Sequence, residues 1–347
     1  MSRYTPVRSE RFRFSYLIER RTIWLTGLLV VLCALVAIIS TGIGSQSISP
    51  LDVIRTLFGQ GNATQEVIIM NLRLPRIVTA ILVGASLAVA GAILQGLIRN
   101  PLASPDVTGI TEGASLGTVL FLFLLSDQLP IGWLPVSAIA GAFLVTGLLY
   151  VLAWKNGITP VRLVLIGIGL SAAFKSISYM FVISGSYLLA NKALTFMTGS
   201  IYGVSWNQDV KNLLPWVVIL LPLTWLQARH VNVLALGDDV AGSAGSSVQR
   251  HRLVLLLLSV ALAGAAVAIG GTIAFIGLMA PHIARKLVGS SFGGLLPVSA
   301  LMGALILLTA DLAARTLFYP SDIPAGVFTA AIGAPFFLYL LYRYRNV

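Results

Sequence analysis

The stretch IVTAILVGASLAVAGAILQGLI, residues 77–98, decides the fold. It runs for 22 residues without a charge, and a helix needs about 20 apolar residues to cross the hydrocarbon of a bilayer. Within it, VGASLAVAGAILQG (83–96) is dominated by Gly, Ala and Ser. Side chains that small let neighbouring backbones approach closely, so this span is expected to pack against other helices, as is LAGAAVAIGG (262–271).

Four further runs have the length and apolarity of spans, at 22–42, 131–154, 295–317 and 324–342. Shorter or interrupted candidates lie at 108–126, 161–183, where Lys175 intervenes, and 213–228. The charge-free stretch 253–284 is 32 residues long, too long for one span and short for two. GGTIAFIG (270–277) is expected to break it into one full helix and one short one, for ten spans in all.

Composition agrees with a polytopic membrane protein. Of 347 residues 57% are hydrophobic and 10% charged, with a mean hydropathy of +0.92, which no water-soluble partition of core and surface accommodates. The net charge of +11 does not signal nucleic-acid binding, because the basic residues sit scattered at the ends of apolar runs and form no stripe. They read as topology signals. With ten spans and the N-terminus inside, 16 Lys and Arg fall on the cytoplasmic side against six outside, which places both termini in the cytoplasm. Residues 1–21 form a basic cytoplasmic tail, expected to lie on anionic lipid without fixed structure. The run that follows is charge-free from Thr22 to Leu51, which is too long for the apolar core of a cleaved signal peptide.

Residues 22–347 then form the transmembrane domain. Helices 2–5 (about 73–185) and 7–10 (about 253–342) are two four-helix sets that start from opposite sides. Each opens with a Gly/Ala-rich helix, and a Pro-containing turn follows, NPLASP (100–105) in one and APHIARK (280–286) in the other. The pattern suggests an inverted repeat, an architecture common in transporters.

Enzyme chemistry finds no footing. The chain has no GxxxxGK[ST] loop, so any ATP must be bound by a partner. Cys33 is the only cysteine, which excludes an internal disulfide and fits helix packing or a lipid-facing position. His230, His251 and His282 fall singly at cytoplasmic boundaries and form no metal-ligand cluster. Asn62 opens an N-A-T sequon, to which no functional meaning is attached. Asp106 and Glu112, just after NPLASP, are read as caps of the third helix or as lining of the cytoplasmic gate.

The polar island HVNVLALGDDVAGSAGSSVQRHR (230–252) interrupts this pattern. At 23 residues it is too long for a simple connector. It reads as two short helices: Asn232 to Leu236 stopped by Gly237, then a second capped by Asp238 or Asp239 and ending at Gly245. Such a pair suits docking into a groove of another protein, and it is equally compatible with a solvated loop.

Several segments carry a resemblance. RLPRIVTAILVGASLAVAGAILQGLIRNPLASPDVTGITEGASLG (73–117) resembles the signature segment of the FecCD family of ABC-importer permeases, which take up iron-siderophores, haem and cobalamin. NVLALGDDVAGSAG (232–245), GGTIAFIGLMAPHIAR (270–285), LLTADLAAR (307–315) and IPAGVFTAAIGAPFFLYLL (323–341) resemble later segments in the expected order. Within the family the chain looks closest to ferric-siderophore permeases.

The resemblance implies an all-α type II importer permease of ten helices, pairing with a second copy or a related permease in the bacterial cytoplasmic membrane. It implies two cytoplasmic ATPase subunits, which hold ATP and magnesium, and an extracytoplasmic siderophore-binding protein; this chain itself binds no cofactor. The residues matching 231–250 are the family's coupling helices, so Leu234, Ala235, Leu236, Gly237, Asp238, Asp239, Ala241 and Gly245 are expected at the ATPase cleft. Ala244 departs from the family, which more often has Leu there. Arg73, Arg76 and Arg315 match arginines that receive acidic residues of the binding protein; snorkelling to the interface is the alternative. Lys175 lies in the fifth helix, which lines the family's path. It either presents positive charge to an anionic ferric-siderophore, or pairs with Asp311, or snorkels. Haem or cobalamin as cargo, a secondary transporter, and a sensor or scaffold are the competing readings.

Overall fold

The computed structural model describes residues 4–9, 14–44, 46–155, 159–318 and 320–343. An antiparallel strand pair, β1 (Tyr4–Ser9) and β2 (Phe14–Glu19), precedes the helices, with Tyr4 opposite Glu19 and Ser9 opposite Phe14. Over these two segments strands stand where the tail was expected to lack fixed structure; both are rich in aromatic and β-branched residues, which favour strands. Arg3, Arg11 and Arg13 of the tail, and Arg345 at the other terminus, lie outside the described residues.

Helices α1 (Arg20–Gly42), α2 (Pro50–Leu57), α3 (Ala63–Glu66) and α4 (Leu74–Ile98) lead into the centre of the bundle. Then follow α5 (Ile110–Leu120), extended by a π-helical turn to Leu125, α6 (Leu134–Ala153), α7 (Pro160–Ser184) and α8 (Tyr187–Thr198). Helices α9 (Lys211–Leu226), α10 (Ala228–Ala235) and α11 (Asp238–Ser243) lead to the second half: α12 (Val248–Gly270), α13 (Ile276–Val288), α14 (Phe292–Thr316) and α15 (Ala325–Arg343). The ten expected spans correspond to α1, α4, α5, α6, α7, α9, α12, α13, α14 and α15. Among the described residues, eight helices are long and apolar enough to cross a membrane; the other two, α5 with its extension and α13, are short.

Every residue of α4 from Val83 to Ile98 is buried, which makes it the axis of the fold. Its glycines explain the burial. A Cβ on Gly91 would come within 1.8 Å of the Gly277 carbonyl oxygen of α13, and one on Gly84 within 2.4 Å of the Gly303 carbonyl oxygen of α14. Small residues thus bring three backbones together where no hydrophobic effect drives helix association in lipid. Ser259 of α12 also packs on α4, donating to the Ala90 carbonyl at 3.0 Å. Cys33 is buried against α14, its thiol 3.5 Å from the Leu301 carbonyl, so it serves packing. The outer helices α1, α7 and α9 leave large apolar side chains such as Trp24, Val161, Ile183 and Val218 exposed, as a lipid-facing or partner-facing surface requires.

The inverted relation of the halves is visible in the chain path. Arg99, just past the end of α4, and Arg252, in the first turns of α12, bond the same carboxylate, so the two Gly/Ala-rich helices run in opposite senses from one end of the bundle. Each is followed by a short helix entered through a left-handed residue, Gly109 (φ +85°) before α5 and Phe275 (φ +68°) before α13. The expected break inside GGTIAFIG falls at 271–275.

Candidate functional sites at the two ends of the bundle

At the end where α4 finishes and α12 begins, the island forms two short helices, as the pattern of glycines indicates. Helix α10 starts at Ala228, four residues before the expected Asn232, because it continues α9 with only Gln227 between them. Asn232 is not a starting residue; its side-chain oxygen accepts from the Phe292 backbone N–H at 3.0 Å and fixes α10 against the start of α14. Gly237 turns the chain with φ +113°, and Gly245 does so again at +78° after α11.

The expected cap by Asp238 or Asp239 is not formed. The N-cap position of α11 is Gly237, which has no side chain to accept a bond, and both aspartates lie in the first helical turn, where negative charge suits the helix dipole. Asp238 instead joins the two halves of the molecule. Its carboxylate accepts from Arg99 at 2.9 Å and from Arg252 at 2.9 and 3.0 Å, with the Arg252 side chain almost wholly buried. Arg99 and Arg252 carried only a topology reading in the sequence; their role at the site needs the fold, since they lie 139 and 14 residues from Asp238.

The remaining island residues divide by face. Leu234 and Ala241 are buried and anchor the pair. Ala235, Asp239 and Gly245 point outward, with Leu236 67% exposed and Val240, which the sequence did not single out, 52% exposed. Ala244 is exposed beside them. Behind them the rings of His230 and His251 stack at 3.9 Å between centroids and link α10 to α12. Burial, the adjacent His251 and Arg229 hold the His230 imidazole below its ordinary range, so it is neutral at pH 7.

The opposite end gathers the three predicted arginines, but none is a free rim charge. Arg73 is only 6% exposed, and its guanidinium donates to the Thr41 carbonyl at 2.6 Å, to Gly42 at 3.1 Å and to Gln46, tying α4 to the end of α1. Arg315 donates to Ser40 and lies 3.9 Å from Asp311. Arg76 is shared between two carboxylates. Its Nε bonds Asp311 at 2.8 and 3.1 Å, while Nη1 and Nη2 bond the two oxygens of Asp322 at 2.7 and 2.9 Å. The Tyr202 ring lies 5.7 Å from the same guanidinium. Together Arg73, Arg76, Arg315, Tyr202 and Asp322 line a cavity of about 330 Å³. Neither snorkelling nor unpartnered exposure describes this cluster, because Asp311 and Asp322, 235 and 246 residues from Arg76, arrive only through the fold.

The same pairing corrects the proposed partner of Lys175. Asp311 is engaged by Arg76 and Arg315. Lys175 stands on the exposed face of α7, and its charge interacts with Glu112 in the first turn of α5. Asp106 does not cap its own following helix, whose N-cap is Gly109. Its carboxylate accepts from the Phe275 N–H at 3.3 Å, so it closes the entry to α13 across the two halves. Asp106 also lines a cavity of about 420 Å³ with Asn100, Ile168, Ser171 and Phe337.

A model of the FecCD transport family matches residues 31–343. The chain is 51% identical over 342 residues to the siderophore transport system permease protein YfhA of Bacillus subtilis (strain 168), covering 97% of this chain and 99% of that protein. It is 45% identical over 334 residues to the achromobactin transport system permease protein CbrC of Dickeya dadantii (strain 3937), covering 96% of this chain and 95% of that one. A solved structure described as an inward-facing conformation of a metal-chelate type ABC transporter superposes with a TM-score of 0.82 at 32% identity, covering 92% of this chain and 99% of that one. With a buried Gly/Ala axis, two halves of opposite sense and a family match over nearly its whole length, the chain belongs to the FecCD transport family.

Proposed function

We propose that this chain is the membrane permease subunit of an ATP-driven importer that carries ferric-siderophore complexes across the bacterial cytoplasmic membrane. The observation that carries the coupling part is the pair α10–α11: Asp238 pins it to both halves of the bundle, while Leu236 and Val240 stand bare on its outer side. An apolar tip on a rigid base is what a helix needs to seat in a groove and pass motion onward. Separate ATPase subunits, holding ATP and magnesium, supply the groove and the stroke, and this chain binds no cofactor of its own.

The excess of Lys and Arg on the α10–α11 side makes that end cytoplasmic, with both termini on the same side. The arginine end then faces outward and meets an extracytoplasmic siderophore-binding protein. The exposed apolar faces of α7 and α15 pair with a second permease subunit, either another copy or a relative. Siderophore cargo is supported by relatives named for siderophore and achromobactin transport.

Uptake of radiolabelled iron from a panel of siderophores, in iron-starved cells with and without this chain and with the partner ATPase inactivated, tests the reading. Loss of uptake for one chelate class in both backgrounds is expected. Uptake that needs the chain and a proton gradient but not the ATPase indicates a secondary transporter, and loss of haem or cobalamin uptake alone reassigns the cargo.

Lys175 belongs to the path in this reading. It stands on the exposed face of a span, where an ammonium must meet water, a partner or cargo. Lys175→Met is expected to lower uptake of anionic ferric chelates about tenfold while sparing neutral ones; equal loss for both makes Lys175 structural.

A further inference from the structure

The arginine cavity is lined by three guanidiniums, from Arg73, Arg76 and Arg315, and by the carboxylate of Asp322, with the buried Asp311 paired to Arg76 and Arg315 behind it. Arg73 spends its donors on backbone carbonyls, so one positive charge is left without a carboxylate in the cluster. The cavity therefore attracts a further anion. Yet the fork of Arg76 is full, with Asp311 along the Nε–Nη2 side, 2.8 Å from each nitrogen, and Asp322 across the Nη1–Nη2 end. A guanidinium offers one bidentate edge at that end, and two carboxylates cannot share it. Any acid that binds Arg76 there must displace one already present.

The two residents are not equal. Asp311 is 1% exposed on the rigid helix α14 and also faces Arg315. Asp322 has a side chain 26% exposed and sits in the irregular segment 320–324, between α14 and α15. Within that segment the Ser321 N–H bonds back to Phe318 at 2.8 Å, and α15 begins three residues after Asp322.

We propose that Asp322 is a built-in stand-in for a partner's acid: on docking, a carboxylate of the extracytoplasmic binding protein replaces Asp322 on the Nη1–Nη2 edge of Arg76 and frees the 320–324 segment at the root of α15. This rests on the binding-protein-dependent importer reading above. Asp322 thereby lowers the affinity of the outer face for its partner, and the exchange converts docking into a change at the start of one membrane helix. Asp311 stays bound throughout and keeps Arg76 in place.

The test uses the full transporter in nanodiscs, with its ATPase subunits, and the cargo-loaded binding protein as the probe. Asp322→Asn keeps the shape of the side chain and removes the competing charge, and it is expected to tighten binding roughly three- to tenfold, with a steeper loss of affinity as salt rises. Asp52→Asn removes an equal charge from the Arg55 pair outside the cavity and is expected to leave the Kd unchanged. Unchanged or weaker binding by Asp322→Asn overturns the proposal, as does equal tightening by Asp52→Asn, which reduces the effect to general charge. Hydrogen exchange on the unmodified chain gives a second reading that needs no variant: amides of 321–327 are expected to exchange faster once the binding protein is bound, and slower exchange there sinks the displacement. Failure of the unmodified transporter to bind the protein at all removes the importer reading itself and is separable from these results.

Discussion

Asp238 shows how much one side chain settles at this scale. It lies two residues from the exposed Leu236 and holds Arg99 and Arg252 from opposite halves of the molecule, so the start of α11 is tied to both halves. Leu236→Asp separates docking from folding: an exposed position tolerates the change within about 0.5 kcal/mol of stability, while transport-coupled ATP hydrolysis is expected to fall at least about tenfold. Thermal melting of the purified permease alongside ATPase assays of the assembled transporter checks both halves. The island and the arginines were legible as residues, because turn glycines and charges beside apolar runs stand out in a linear chain. Their partners were not. Nothing in the spacing of RLPR leads to Asp311 or Asp322, and the capping expected of Asp238 gave way to two guanidiniums that only the fold delivers.

The helices behave according to which faces they bury. Helix α4 can be the axis because its glycines remove the atoms that would hold α13 and α14 apart. Gly91→Ala places a methyl group 1.8 Å from a backbone oxygen that cannot rotate away, and separating the helices to admit it is expected to cost about 1–3 kcal/mol. Gly27→Ala in α1 meets nothing within 4 Å and is expected to be neutral or slightly stabilising. Melting temperatures of the two variants in one detergent decide the comparison, and equal values would show that the α4–α13 contact is looser than described. The short helices α5 and α13 were harder to read from hydropathy, since apolar content does not reveal where a backbone breaks. The left-handed Phe275, held by Asp106, marks the break before α13 in space.

At the scale of the whole molecule, a single continuous helix, α4, separates the two ends. Arg76 and Arg99 are 23 residues apart along and just beyond α4, about 35 Å at 1.5 Å per residue. In the importer reading proposed above, a signal from the arginine end must therefore cross the full bilayer to reach α10–α11, through a bundle whose two halves are joined at both ends by ion pairs. The orientation is testable with single cysteines in a Cys33→Ala background. A membrane-impermeant maleimide is expected to label Ser186→Cys, at the N-cap of α8, in intact cells, and Ser243→Cys, in α11, only after permeabilisation. The reverse pattern inverts the topology and puts the island outside.

Composition and periodicity by themselves determined that this chain lives in a membrane, roughly where its apolar helices lie, and that one polar island interrupts them. The reason is that a bilayer enforces length and apolarity locally, residue by residue. Only the tertiary structure decided that the three arginines are occupied, that Asp311 is engaged by Arg76 and Arg315 instead of Lys175, and that Asp238 clasps both halves. Charges in a low-dielectric interior must find partners wherever the fold brings them, and those partners lie up to 246 residues away in the chain.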